Sequence, residues 1–208
     1  GVNDCSSETC DPDKFMDKPI TILNLNNNVG HQRAIAIGLA YVNDHFNNFT
    51  GCVVMDSDGE DSYTYLPSLC KKMHDENAAK IVFAERKKRI EGLMFRIFYR
   101  LYKILFWSLT GEPISFGNFS CIPRLLLKRL VRVPELWLHY SGSIIKSRLP
   151  YTMIPTHRSA RYFGKSKMNF ERLAIHGLSS IAIYINTVAV RILIFSSIGI
   201  TFIILLIL

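Results

Sequence analysis

Apolar positions come in short blocks early in the chain and in longer helical arrays later. Thr21-Ile22-Leu23-Asn24-Leu25 alternates between Pro19 and the turn cluster Asn26-Asn27-Asn28-Val29-Gly30, which predicts a short strand. From His31 to Tyr41, Ala34, Ile35, Ile37, Gly38 and Ala40 supply a small-residue face, predicting a helix packed closely on a sheet. Gly51-Cys52-Val53-Val54-Met55 is apolar and stops abruptly at Asp56, the pattern of a buried parallel strand whose carboxyl end opens onto a site. A helix is expected over Leu66 to Met73 and another strand over Lys80-Ile81-Val82-Phe83-Ala84, while Gly1 to Asp4 resembles the tail of an earlier strand. Strands alternating with helices predict an α/β fold with a doubly wound, mostly parallel sheet and ligands at the strands' carboxyl ends. Asp4, Asp56 and Arg86 fall at such ends.

Beyond Arg86 the pattern changes. Arg86, Lys87, Lys88, Arg89, Arg96, Arg100 and Lys103 interleave with Met94, Phe95, Ile97, Phe98, Tyr99, Leu101, Tyr102, Leu105, Phe106 and Trp107. That is the composition of a basic, aromatic-rich helix at a membrane interface, and equally of a core helix with a solvated basic edge. Phe170 to Val190 reads as a second amphipathic helix, and Ile192 to Leu208 carries no charge. About 17 apolar residues is the lower limit for a span, so this segment is expected to be a transmembrane helix with Arg191 at its cytosolic end, a buried core helix being the alternative. The expected organisation is a catalytic domain over 1–169, a juxtamembrane helix over 170–191, and a transmembrane helix, complete or truncated, over 192–208.

Composition adjusts this picture in three ways. The chain of 208 residues is 49% hydrophobic and 20% charged, too apolar for a disordered chain. Residues 1–80 hold twelve of the 17 acids and six of the 25 Lys and Arg residues, so the net charge of +8 is concentrated in the later, apolar part. Basic and greasy together favour anionic lipid headgroups or phosphorylated lipid over nucleic acid. Cys5, Cys10, Cys52, Cys70 and Cys121 are odd in number and lack paired spacing, which argues against a disulfide framework or a zinc site and for a reducing, cytosol-facing compartment.

The candidate chemistry centres on Asp56-Ser57-Asp58, with Glu60 two residues on. Transfer of a sugar from a nucleoside diphosphate requires the leaving diphosphate to be neutralised, and a divalent cation held by carboxylates does this. Magnesium takes one or two carboxylates and completes its shell with phosphate oxygens and water. A solvated acidic turn or a helix cap is the plainer reading of the same residues, and the strand directly before them favours the metal.

The order of Val2-Asn3-Asp4-Cys5-Ser6, Asn28-Val29-Gly30, Ala34 to Gly38, Val53-Val54-Met55-Asp56-Ser57-Asp58, Arg86, Gly117-Asn118-Phe119 and Arg158-Ser159-Ala160-Arg161-Tyr162-Phe163-Gly164-Lys165-Ser166-Lys167 resembles family 2 glycosyltransferases. Among these it is most similar to the membrane-bound polyprenyl-phosphate sugar transferases, over roughly residues 2–191. The resemblance implies a GT-A-like nucleotide-diphospho-sugar transferase fold whose first strand and helix are missing here. It also implies a metal-dependent inverting hexosyltransferase that moves a sugar from a UDP- or GDP-sugar to a polyprenyl phosphate at the cytosolic membrane face. By the same resemblance Asp4, Asn28, Asp56 and Arg86 contact the nucleotide sugar, Asp56, Asp58 and Glu60 hold Mg2+ or Mn2+, and Arg158, Arg161, Ser166 and Lys167 approach phosphate. The basic segment also has its own logic, because Arg grips phosphate through a planar fork, Lys acts as a point charge and Gly164 lets the backbone approach an anion. A juxtamembrane positive patch is its alternative.

The chain departs from the resemblance at Ser115-Phe116-Gly117-Asn118-Phe119, where those enzymes have an acid-rich segment. A hydroxyl acceptor needs a base, whereas a phosphate monoester with a second pKa of about 6 is already an anion at neutral pH. Asn118 therefore suits a polyprenyl phosphate acceptor. Asp58 and Glu112 are the candidate catalytic residues, and two alternatives stay open: a hydroxyl of a lipid-linked glycan served by another acid such as Glu112, and a non-catalytic, membrane-anchored nucleotide-sugar-binding protein. His139, His157 and His176 show no ligand spacing, and a homo-oligomer stays open.

Overall fold

The computed structural model describes residues 1–5, 20–86, 93–112, 117–157, 159 and 170–207. The chain divides into two units, one of residues 1–87 with 116–163 and one of 88–115 with 164–208.

In the first unit, β1 (Val2–Asn3) pairs in parallel with β2 (Leu23–Asn24). Helix α1 (His31–His45) follows, then β3 (Gly51–Val54), α2 (Leu66–Asp75) and β4 (Ile81–Arg86). The alternation expected from the sequence is present, with boundaries shifted by at most four residues. After α3 (Leu93–Thr110), which belongs to the second unit, come β5 (Ser120–Pro123), α4 (Arg124–Leu130), α5 (Tyr140–Lys146) and β6 (Tyr151–Thr156). The four-stranded sheet runs β3-β5-β4-β6.

Pairing in this sheet differs from the mostly parallel arrangement expected. β4 and β6 are parallel, but β5 lies between β3 and β4 and is antiparallel to both. The sequence hides β5 because Ser-Cys-Ile-Pro is too short for any period to register, and Pro123 both closes the strand and caps α4. Its reversed direction brings its amino end, Asn118 and Phe119, to the edge of the sheet where β3 and β4 deliver their carboxyl ends.

The period of two along β4 separates two cores. Ile81 and Phe83 face the cluster formed with Leu39, Leu127, Leu130, Tyr140 and Ile144, whereas Val82 and Ala84 face Leu69, Met73, Phe119 and Cys121. Both faces of the sheet are covered by helices, as its continuous apolar strands require. Gly51 is fixed by this packing, because a Cβ there would stand 2.6 Å from Met73 Sδ. Burial pushes the Cys52 thiol up to about 11 and the Cys121 thiol up to about 12, so both stay protonated and unreactive at neutral pH.

The second unit contains α3 (Leu93–Thr110), α6 (Phe170–Ala182) and α7 (Ile185–Ile207). Phe106 packs with Ile181, Ile183, Tyr184 and Val188. Tyr102 Oη lies 2.7 Å from Ser180 Oγ and donates to the Gly177 carbonyl at 3.2 Å. A side chain at Gly177 would press on the Tyr102 ring.

Helix α7 starts earlier than the uncharged run predicts. The break between helices falls at Ile183 and Tyr184, whose side chains are buried in this cluster, so the expected boundary at Arg191 lies inside α7. Its 23 residues include an 18-residue stretch with a mean hydropathy of 2.5 and are long and apolar enough to cross a membrane, by length and composition. Arg191 Nη1 donates to the Ser108 carbonyl at 2.9 Å, at the end of α3 where Gly111 takes a φ of 82° and its N–H bonds to the Trp107 carbonyl. The guanidinium thus sits on the negative end of the α3 dipole.

On α3 the face away from this packing is also apolar. Ile97, Leu101, Ile104 and Leu105 are exposed, with the exposed Arg100, Lys103 and Trp107 beside them. On α6, Ile175 and Leu178 are likewise exposed. The core-helix reading of this segment thus accounts for only one of the two apolar faces of α3.

Candidate functional site

Strand ends of the first unit supply most of the candidate residues. Asp4 follows β1, and its Oδ1 accepts the Val29 N–H at 2.7 Å, while Asn28 Nδ2 donates to the Asp4 carbonyl at 3.1 Å. Asn28 Oδ1 in turn accepts the Gly30 N–H at 3.2 Å, and Gly30 adopts a φ of 82° before α1 begins. The parallel pairing of two short strands therefore joins Asp4 and Asn28, residues 24 positions apart, at the amino end of a helix.

Asp56 leaves β3 and enters a tight acidic turn. Asp58 Oδ1 accepts the Glu60 N–H at 3.0 Å across Gly59, which has a φ of 88°. Asp61 Oδ2 accepts the Asp56 N–H at 3.0 Å, and its residue is only 3% exposed. The acids thus divide by role: Asp61 is turned in and closes the loop, while Asp56 and Asp58 are half-buried at its surface. The sequence offered one signal for Asp61, an acid at the end of an Asp-x-Asp-Gly-Glu run where a loop must close on itself. Asp61→Ala is expected to cost about 1–3 kcal/mol by leaving the Asp56 N–H without that acceptor, measured as a lower thermal midpoint. An unchanged midpoint would count against this role.

The same turn holds the start of the basic segment. Ser159 N–H donates to the Glu60 carbonyl at 3.1 Å, and His157 N–H donates to Tyr65 Oη at 3.0 Å. Thr156, at the end of β6, lies in register with Arg86 at the end of β4. Arg158, Arg161, Ser166 and Lys167 lie outside the described residues, and of Arg86 only the backbone position is described.

Asn118 completes this edge. The last β3–β5 pair is Val54 with Ser120, so Asp56 and Asn118 each lie two residues beyond it on adjacent strands. Gln32, buried in the first turn of α1, approaches Asn118 Oδ1 with its Nε2 at 3.4 Å and His31 Nε2 at 2.7 Å, and its Oε1 accepts the Tyr140 N–H at 2.6 Å. Sequence reading passed over Gln32, whose only signal was a polar residue in an otherwise small and apolar helix. Glu112 belongs to the second unit, in the turn after α3, where its N–H donates to Thr110 Oγ1 at 3.2 Å.

The donor set at Asp56 and Asp58 consists of oxygen atoms alone, which suits a hard cation such as Mg2+ or Mn2+. Among the described residues no group of three or more His, Cys, Asp and Glu converges as a self-sufficient cage. A cation held jointly with a diphosphate needs only one or two protein carboxylates, and the turn can offer those.

No family model matches the chain. Over 180 residues it is 26% identical to "Uncharacterized glycosyltransferase YkoT" of Bacillus subtilis (strain 168), covering 82% of this chain and 51% of that protein. Over 178 residues it is 24% identical to "Uncharacterized glycosyltransferase YkcC" of the same organism, covering 83% and 52%. A third relative is the undecaprenyl-phosphate 4-deoxy-4-formamido-L-arabinose transferase of Salmonella newport (strain SL254), 25% identical over 163 residues, or 76% of this chain and 46% of that protein. The similarity supports a glycosyltransferase family. The chain spans about half the length of the curated relatives it matches.

Proposed function

We propose that the chain is the catalytic part of an inverting glycosyltransferase that moves one sugar from a UDP- or GDP-sugar to a polyprenyl phosphate at the cytosolic membrane surface. The observation that carries this reading is the hydrogen bond from Ser159 to Glu60, which ties the Asp56–Asp58 turn to the first residues of the basic segment. Carboxylates suited to a cation and diphosphate are thereby tied to Ser159, within the stretch of sequence that carries the Arg and Lys residues suited to a second phosphate. One relative's name includes undecaprenyl-phosphate transferase, and α7 with the outer face of α3 favours work at a bilayer.

In this reading Asp4 and Asn28 contact the nucleoside, and Asp56 and Asp58 would hold Mg2+ or Mn2+. The cation supplies charge neutralisation of the leaving group. An oxygen of the acceptor phosphate attacks the anomeric carbon, the bond from that carbon to the diphosphate breaks, and the nucleoside diphosphate leaves with the electron pair. The attacking oxygen is already an anion near neutral pH, so no side chain has to remove a proton. Incubating membranes that contain the protein with radiolabelled UDP- and GDP-sugars and undecaprenyl phosphate should put label into the organic-extractable lipid. Absence of labelled lipid with every donor sugar, when the added undecaprenyl phosphate is shown to be accessible, would overturn the proposal.

A further inference from the structure

The amide of Asn118 has a fixed polarity. Gln32 sets it, because the Tyr140 backbone N–H can only donate and therefore requires Oε1 of Gln32 to face it, at 2.6 Å. The opposite end of the Gln32 amide is then the NH2 group, with one hydrogen toward His31 Nε2 at 2.7 Å and the other toward Asn118 at 3.4 Å. Only an oxygen of Asn118 can be accommodated there, since its own NH2 would set donor against donor. Asn118 Oδ1 is thus turned in toward α1, and Nδ2, with its two hydrogens, is turned away from Gln32. Among the described residues Nδ2 makes no hydrogen bond. A half-buried donor at the end of the sheet beside Asp56 is left to address a ligand.

We propose that Asn118 is a specificity-determining residue, held by Gln32 as a hydrogen-bond donor for an anionic phosphate oxygen bound at the carboxyl end of the sheet. This rests on the reaction proposed above, in which two substrates carry phosphate: the nucleoside diphosphate of the donor and the phosphate monoester of the acceptor. A carboxylate at this position would keep the bond from Gln32 but offer no hydrogen to a phosphate oxygen, so the amide adds a donor while the fold around it stays the same.

The test uses the full chain in lipid nanodiscs, with Asn118→Asp and Asn118→Ala compared to the unsubstituted protein. Binding of UDP, GDP and intact UDP- and GDP-sugars, and of undecaprenyl phosphate against undecaprenol, is measured directly, alongside KM and kcat for transfer. Asn118→Asp is expected to weaken one phosphate-bearing ligand at least about tenfold and the other less than about threefold, with undecaprenol unaffected. If the acceptor phosphate is the partner, the penalty grows between pH 5.5 and pH 8 as the monoester takes its second charge, near a pKa of about 6. If the donor's diphosphate is the partner, the penalty measured with intact UDP- or GDP-sugar is flat with pH, because a sugar-esterified diphosphate keeps its charge in that range, whereas free UDP and GDP gain a charge on their terminal phosphate near a pH of about 6. Asn118→Ala is expected to weaken the same ligand by a smaller factor with no pH slope.

Unaltered binding of both phosphate ligands by either variant would overturn the proposal. Because binding is read without turnover, a protein that transfers no sugar would refute the reaction while these affinities still decide the role of Asn118.

Discussion

Asp58→Asn is expected to lower sugar transfer by at least about 100-fold, the scale on which removing one preorganised electrostatic group slows a charged transition state. The fold should be indifferent to this change. The Asn oxygen can still accept the Glu60 N–H that Asp58 Oδ1 accepts at 3.0 Å, so the turn closes as before and the thermal midpoint should stay within about 2 °C. What is lost is one negative charge at the surface of the turn. A cation titration should therefore show a higher requirement for Mg2+ or Mn2+ in the variant than in the unsubstituted protein. Transfer at the original rate with an unchanged cation requirement would remove Asp58 from the proposed metal site. The contrast with Asp61 sharpens the expectation, since Asp61→Ala should act through stability and Asp58→Asn through the reaction.

Phe83→Ala is expected to destabilise the sheet of the first unit by about 3–5 kcal/mol, a large share of the roughly 5–15 kcal/mol that holds a domain together. Phe83 is fully buried on the central strand β4, with its ring centroid 6.2 Å from that of Tyr140 and 6.1 Å from that of Tyr151. Tyr140 is itself fully buried, and its hydroxyl lies 2.6 Å from Ser120 Oγ, so the cavity would open where β5 and α5 are tied together. Burial also pushes the Tyr140 hydroxyl up, well above its ordinary range, so it remains a neutral hydrogen-bonding group. Amide hydrogen exchange along β4 and β5 should accelerate by about 10²-fold or more, whereas Phe83→Leu should cost far less by filling most of the space. Unchanged exchange in the alanine variant would show that the ring contributes little to the sheet.

Elements whose pattern was long or unmixed were legible in the sequence. β3 and β4 announce themselves as apolar runs, and α1 and α2 as helices between them, because a strand buried on both faces has no reason to carry polar residues. The acidic turn was legible for the same reason: polarity that begins abruptly at Asp56 marks where the strand leaves the core. The strand order of the sheet and the antiparallel place of β5 in it were not legible. β5 is four residues long and finds its place by pairing with Val53 and Val54 on one side and Val82 and Phe83 on the other, contacts that no local window contains. The boundary of α7 was missed in a related way, since the helix breaks where Ile183 and Tyr184 are drawn into a cluster with Phe106, and charge alone had pointed to Arg191.

By itself the sequence determined that apolar strands end in Asp4, Asp56 and Arg86, and that the chain carries an acidic early part and a basic, apolar later part. Those are properties of composition and short-range period, which the chain expresses wherever it folds. Tertiary structure alone decided which acid closes the turn and which two remain at its surface, because that choice depends on Asp61 finding the Asp56 N–H. It also decided that Ser159 meets Glu60 and that Gln32 orients Asn118, bonds between residues 99 and 86 positions apart along the chain. Hydrogen bonds of that reach leave no mark on local pattern, since each partner's surroundings are set by the sheet that brings them together.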